Sequence, residues 1–274
     1  MYTEYQPSHL LVPYIDNYWE FKGNPDYGMR IHILPDGCTD FIFTLGEVAN
    51  AVEEGSLIMQ PYRSYFVGPM TKYSELVTYT ESIHMFGVRF LPCGLSCFTN
   101  LPLHEFVNSR VSTNEMKAVF DDTFIEKLGE QKHVTDRIRV VEEYLLAYLA
   151  RHYQPADSHV AMAVNMINHS KGKRSVRSLM DDVCLCQRHF ERKFKHYTGF
   201  TPKEYSRIVK FKNAVELLRT ATSANLLTTA DDAGYYDLAH FSKEIKSMSG
   251  NTPASFLSLT VPEETTLTYI EPQR

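Results

Sequence analysis

The chain has 274 residues, is 43% hydrophobic and 22% charged, and carries a formal net charge of −5 at pH 7. That length accommodates two domains with separate cores, and the composition excludes a disordered or fibrous chain. No uninterrupted apolar run reaches membrane-spanning length and no basic-plus-apolar leader opens the sequence, so a cytoplasmic protein without a membrane partner is expected. Five cysteines (Cys38, Cys93, Cys97, Cys184, Cys186) are an odd number without a disulfide-framework spacing, which suits a reducing compartment.

The first hundred residues read as strands and turns. Tyr18–Phe21, Arg30–Leu34, Thr39–Leu45 and His84–Phe90 are short, rich in β-branched and aromatic residues, and punctuated by Gly or Pro. Pro35-Asp36-Gly37 and Gly68-Pro69 are tight-turn signals between them. A compact β-barrel or sandwich follows. Metal chemistry in such a barrel would call for a His-x-His pair with a following carboxylate, and His32, His84 and His104 stand singly. Cys93-x3-Cys97 and Cys184-x-Cys186 lack companion ligands at zinc spacing, so buried thiols, no metal and no cofactor are expected.

After Leu91-Pro92 the texture becomes helical: 94–100, 103–108, roughly 113–129, and 134–153. In the last of these, Ile138, Val141, Leu145 and Tyr148 form one stripe, by default an intramolecular core face and otherwise the seam of a homodimer. Gln154-Pro155-Ala156-Asp157 breaks the helix and marks a linker. A helix over 159–169 and a basic turn, Lys171-Gly172-Lys173-Arg174, suited to a phosphate backbone, follow.

From there the chain repeats itself. His189-Phe190-Glu191-Arg192-Lys193-Phe194-Lys195 returns as His240-Phe241-Ser242-Lys243-Glu244-Ile245-Lys246, and Gly199-Phe200-Thr201-Pro202 returns as Gly250-Asn251-Thr252-Pro253, both at an offset of 51. Met180-Asp181-Asp182-Val183-Cys184 matches Ala230-Asp231-Asp232-Ala233-Gly234 at 50, so the second copy has one extra residue in its turn. Each copy is a short helix, a turn and a second helix. Large apolar residues at i and i+4 (Phe190 and Phe194; Phe241 and Ile245) make a buried stripe, and cations lie opposite. A helix so pinned fits a DNA major groove, although a solvated face of any small bundle reads alike for one copy alone. Matched duplication favours the DNA reading. Between the copies, Thr201-Pro202-Lys203-Glu204 is a capping box that starts a helix to about Arg219, whose eighteen residues at ~1.5 Å rise span about 27 Å, comparable with the ~34 Å between successive major-groove faces. Residues 158–258 carry 15 Lys and Arg against nine Asp and Glu, net +6; the rest carries 13 against 24, net −11. The basic block is the one expected to meet phosphates.

On these residues, above all Gly234-Tyr235-Tyr236-Asp237-Leu238-Ala239-His240-Phe241 and Gly250-x-Thr252-Pro253, the segment from His159 to Leu259 resembles the DNA-binding domain of AraC/XylS-type transcription regulators. It departs at Cys184 and Cys186, which replace a turn glycine and a Ser cap, and at Met180 and Thr229. The resemblance implies an α+β, two-domain regulator: a β-rich, cupin-like sensory or assembly domain with following helices (1–153), an all-α domain with two helix-turn-helix units joined by a linker helix (158–259), and a loosely held tail (260–274). It implies double-stranded DNA and RNA polymerase as partners, a small-molecule effector or dimerisation as control, and no enzymatic activity. DNA contacts would come from Gln187, Arg188, Glu191, Arg192 and Lys195, and from Leu238, Ala239, Ser242, Lys243 and Lys246. The competing class is an enzyme on the β domain, a metal-dependent cupin or a Cys38 alkyl-transfer protein, with a DNA-binding appendage. Neither a metal triad nor an activating partner for Cys38 is present in the sequence.

Overall fold

The computed structural model describes residues 2–24, 29–46, 59–78, 82–116, 119–120, 122–152, 154–183, 185–220, 226–257 and 268–270. The N-terminal half is built on two sheets. Strands β1 (Tyr2–Tyr5), β2 (Ile15–Gly23), β3 (Met29–Ile33), β4 (Thr39–Thr44), β5 (Ser64–Val67), β6 (Ser74–Thr78), β7 (Ile83–Phe90) and β8 (Arg110–Ser112) come first in the chain. The larger sheet has the order β1-β2-β7-β4-β5-β8, all neighbours antiparallel; the smaller is β6-β3-β9, where β9 is Thr268–Ile270.

Alternation along the strands sorts the side chains into two cores. On one face of the large sheet Tyr18, Phe41, Phe43, Phe66, Phe86 and Phe90 pack against α1 (Asp122–Gly129) and α2 (Val134–His152). On the other, Trp19, Ile42, Tyr65 and Met85 meet Ile31 and Ile33 of the small sheet. The α2 stripe belongs to the first of these cores: Val141 and Leu145 are fully buried, with Ile138 and Tyr148 packed beside them. The intramolecular reading of that stripe therefore holds.

The inner face of the large sheet also carries a charged cluster. Arg89, buried, lies 3.2 Å from Asp40, 3.5 Å from Asp36 and 3.9 Å from Glu4, and Trp19 Nε1 donates to Asp40 at 2.7 Å. Burial pushes the Asp40 carboxyl up, against the pull of Arg89. A buried cation needs such partners, and β1, β4 and the turn at Asp36 supply them.

Three expectations need adjustment. The helices read at 94–100 and 103–108 are single 3-10 turns, Leu95–Cys97 and Leu103–Phe106, since Gly94 and the prolines leave too few residues for an α turn. The 113–129 helix is a 3-10 turn at Thr113–Glu115 followed by α1. Part of the tail, read as loosely held, pairs with β3: Ile31 opposes Ile270, and Ile33 opposes Thr268. Without it β3 would present an open edge of unpaired main-chain groups.

The C-terminal half is helical: α3 (Ser158–His169), α4 (Val176–Val183), α5 (Gln187–Thr198), α6 (Pro202–Thr220), α7 (Leu226–Asp232), α8 (Leu238–Ser249) and α9 (Pro253–Leu257). Phe190, Phe194, Phe211, Phe241 and Ile245 are fully buried in its core, which Leu34 and Cys93 of the β domain join. The capping box forms as read: Thr201 N donates to Glu204 Oε2 at 2.7 Å and Glu204 N to Thr201 Oγ1 at 3.1 Å.

Candidate nucleic-acid interface

The two units repeat in three dimensions down to single hydrogen bonds. Thr198 Oγ1 donates to Phe194 O at 2.7 Å and accepts from Phe200 N at 3.2 Å; Ser249 Oγ donates to Ile245 O at 2.7 Å and accepts from Asn251 N at 3.1 Å. Both hydroxyls are buried one position before the helix-ending glycine. Gly199 and Gly250 then turn left-handed, at φ +82° and +77°, and each N–H reaches the carbonyl four residues back at 2.9 Å. Only glycine takes that backbone without strain, which is why it recurs at the same offset. The matched hydroxyls at 198 and 249 were a signal the sequence reading passed over.

The helix starts differ. Asp237 caps α8 by accepting from His240 N at 2.7 Å, whereas Cys186 stands at the α5 cap without a side-chain bond, as its thiol predicts. Cys184 lies outside the described residues.

With the apolar stripes inward, the opposite faces meet solvent. Gln187, Arg188, Arg192 and Lys195 are exposed on α5, with Glu191 half-buried and bonded to Gln187 at 2.9 Å. Leu238, Ala239, Lys243 and Lys246 are exposed on α8, with Ser242 half-buried. Among the described residues Arg188, Arg192, Lys195, Lys243 and Lys246 form no hydrogen bond or ion pair. Other cations of this half are engaged. Lys193 holds Asp157 at 2.6 Å, Arg207 of α6 grips Glu244 of α8 with contacts of 2.9 to 3.2 Å, and Arg174 bonds Asp182 and Ser178. Lys173 Nζ donates to Asp232 O at 2.7 Å and Lys210 Nζ to Gly234 O at 3.2 Å. Of the basic turn read as a phosphate site, Lys173 thus ties the two units together, Arg174 is held within the first unit by α4, and Lys171 remains exposed.

The β domain touches this half away from the reading faces. Gly199 packs against Pro69, His196 meets Asn100 at 3.3 Å, and Gly250 lies against the Tyr73 ring, which stacks on His32 of β3. Gly37 lies against Tyr205 of α6, and the charges of Asp36 and Asp16 act on Lys212 of the same helix. Asp157, held below its ordinary value because the Lys193 and Val160 hydrogen bonds outweigh burial, caps α3 at the boundary. Among the described residues no three His, Cys, Asp or Glu side chains gather as metal ligands. Burial pushes the Cys38 thiol well up, away from the thiolate that alkyl transfer would need.

Residues 3–112 match a family described as a domain of unknown function (DUF6597), and residues 179–258 match a helix-turn-helix domain family. No curated protein sequence matches the chain. Among solved structures, ToxT from Vibrio cholerae aligns over 88% of this chain and 97% of its own at 9% identity, with a TM-score of 0.52. ToxT with an unsaturated fatty acid bound aligns over 94% of each chain at 11% identity and TM-score 0.48. The C-terminal domain of AraT, a response regulator from Geobacillus stearothermophilus, aligns over 40% of this chain and 92% of its own at 20% identity and TM-score 0.36. At 9% identity the first of these is a likeness of fold, a β domain followed by a helical one. With both units in place and the family match covering them, residues 179–258 carry a helix-turn-helix domain, and it resembles the AraC/XylS type.

Proposed function

We propose that this protein is a sequence-specific DNA-binding transcription regulator in which α5 and α8 enter successive major grooves and the N-terminal domain controls them. The observation that carries the reading is the pair of matched, solvent-facing surfaces whose five cations have no partner within the described residues, while neighbouring cations do. On α5, Arg188 and Arg192 are suited to bidentate bonds with guanine and Gln187 with adenine, each worth ~1–3 kcal/mol of base discrimination. On α8, Leu238 and Ala239 offer apolar contact, and Lys243 and Lys246 serve phosphates. Lys195 and Glu191 complete the α5 face.

Control by the β domain, through a small-molecule effector or through dimerisation, is supported by contacts on α6 from Gly37 and on the ends of α5 and α8 from Pro69 and Tyr73. A change in the β domain has these routes to both readers. RNA polymerase as a partner and a cytoplasmic location belong to the same reading.

Selection of binding sites from random duplexes tests it. Arg188→Ala and Arg192→Ala relax preference in one half of the site, and Lys243→Ala and Lys246→Ala weaken all duplexes alike. Equal sharpness in both half-sites of the wild type refutes the division of labour, and absence of any duplex affinity refutes the function. Metal analysis of the same preparation, together with a methyl-transfer assay on Cys38, addresses the enzyme class.

A further inference from the structure

The duplication also shows what the second unit has that the first lacks. Aligned at 51, Leu238 and Ala239 stand where α5 has Gln187 and Arg188, and Tyr236 stands where the first unit has Leu185. Leu185 is partly buried against the helical core. In the second unit that inward place is filled by Tyr235, whose ring meets Phe241 at 5.2 Å and His240 at 5.4 Å. The one-residue lengthening of the turn thus leaves a second tyrosine with no room inside. Tyr236 is 94% exposed, and Leu238, on the first turn of α8, is 38% exposed.

A nearly bare tyrosine beside an exposed leucine is costly to hydrate and signals a partner. Its mounting is rigid: Asp237 caps α8, while Lys173 and Lys210 fasten the carbonyls of Asp232 and Gly234 on the same turn. Lys243 and Lys246 are exposed further along α8, and the carboxylate of Asp237, between the two apolar residues, accepts from His240 N in the cap. The pair is also continuous with the face that carries Ala239. An exposed apolar pair that extends a reading helix bearing exposed lysines suits the edge of a duplex, where a thymine methyl and deoxyribose carbons lie between phosphates.

Resting on the proposed DNA-binding function, we infer that Tyr236 and Leu238 form an apolar DNA contact, so that the second unit recognises thymine methyl and sugar surface where the first reads hydrogen bonds. The probe is the duplex selected by the full-length protein, alongside one with deoxyuridine replacing thymine in the second half-site. Tyr236→Ala weakens the selected duplex about tenfold, with unchanged melting temperature and unchanged salt slope, and Tyr236→Phe retains most of the affinity. Deoxyuridine weakens the wild type but not Leu238→Ala. Full affinity of Tyr236→Ala overturns the inference, as does equal sensitivity of wild type and Leu238→Ala to the missing methyl. A variant that loses only self-association assigns the patch to a second copy and equally overturns it. If Lys243→Ala and Arg192→Ala also bind as the wild type does, the DNA reading itself has failed.

Discussion

Removing Lys243 and Lys246 together provides a quantitative test of the reading faces. Five exposed cations without partners among the described residues lie on α5 and α8. Each phosphate neutralised contributes about 0.9 to the slope of log affinity against log salt, and Lys243 and Lys246 are the two cations assigned to phosphates on α8. Lys243→Ala with Lys246→Ala therefore makes the slope shallower by about 1.8. Between about 50 and about 200 mM salt the double variant loses roughly 12-fold less affinity than the wild type. Both side chains are exposed and neither forms an internal bond, so the melting temperature should hold to within the small effect of a surface substitution. Fluorescence anisotropy with a labelled duplex at four salt concentrations gives the slopes. An unchanged slope in the double variant would show that these lysines face solvent in the complex. A lowered slope accompanied by altered base preference would move them from the phosphates to the bases.

Other expectations concern the scaffold. Leu145→Asp places an unpaired carboxylate in a fully buried site and should cost more than about 4 kcal/mol, seen by circular dichroism as loss of the folded state; a folded monomer would instead assign α2 to an interface. At Gly87 an added Cβ would fall 1.9 Å from the Trp19 ring, so Gly87→Ala must displace the ring and its bond to Asp40, at about 3 kcal/mol. Trp19 is the only tryptophan, and its emission reports the shift directly. Glu20 is held below its ordinary value by the hydrogen bond to His84 at 2.9 Å and by the charge of Arg137, also bonded at 3.0 Å. A lowered carboxylate contributes stability that is present above its unfolded value and lost as pH falls through the folded one, so the cost of Glu20→Gln in urea unfolding should be full near neutrality and fade in acid. A cost independent of pH would mean that Glu20 stabilises by packing alone.

Local signals were the legible ones. The capping box at Thr201, the helix break at 154–157 and the paired glycines at 199 and 250 each depend on a few neighbouring residues, and the structure repeats them closely. The four expected strands appear with ends shifted by up to three residues. Those not foreseen, β1, β5, β6, β8 and β9, have three to five residues each, too few for alternation to register. Ser64–Val67 is buried at every position and shows no alternation at all. At the interface, duplication made the exposed faces readable, since a repeated pattern separates an inward stripe from its opposite. Which cations are free was not readable. Lys173 and Lys193 have the same local look as Lys243, and only partners far along the chain, Asp232 for Lys173 and Asp157 for Lys193, set them apart. The Arg89 cluster was hidden for the same reason, being assembled from β1, β4, β7 and the turn at Asp36.

The strand at 268–270 alters the topology of the whole molecule. Because β9 completes a sheet begun by β3 and β6, the chain leaves the β domain near Asp157 and re-enters it at Thr268. The helical domain is consequently an insertion, a closed excursion whose two ends are moored to one body. A single cut at the interdomain linker would not liberate the helices while β9 stays paired, and a protein shortened after Leu257 would lose a strand from a domain more than a hundred residues upstream.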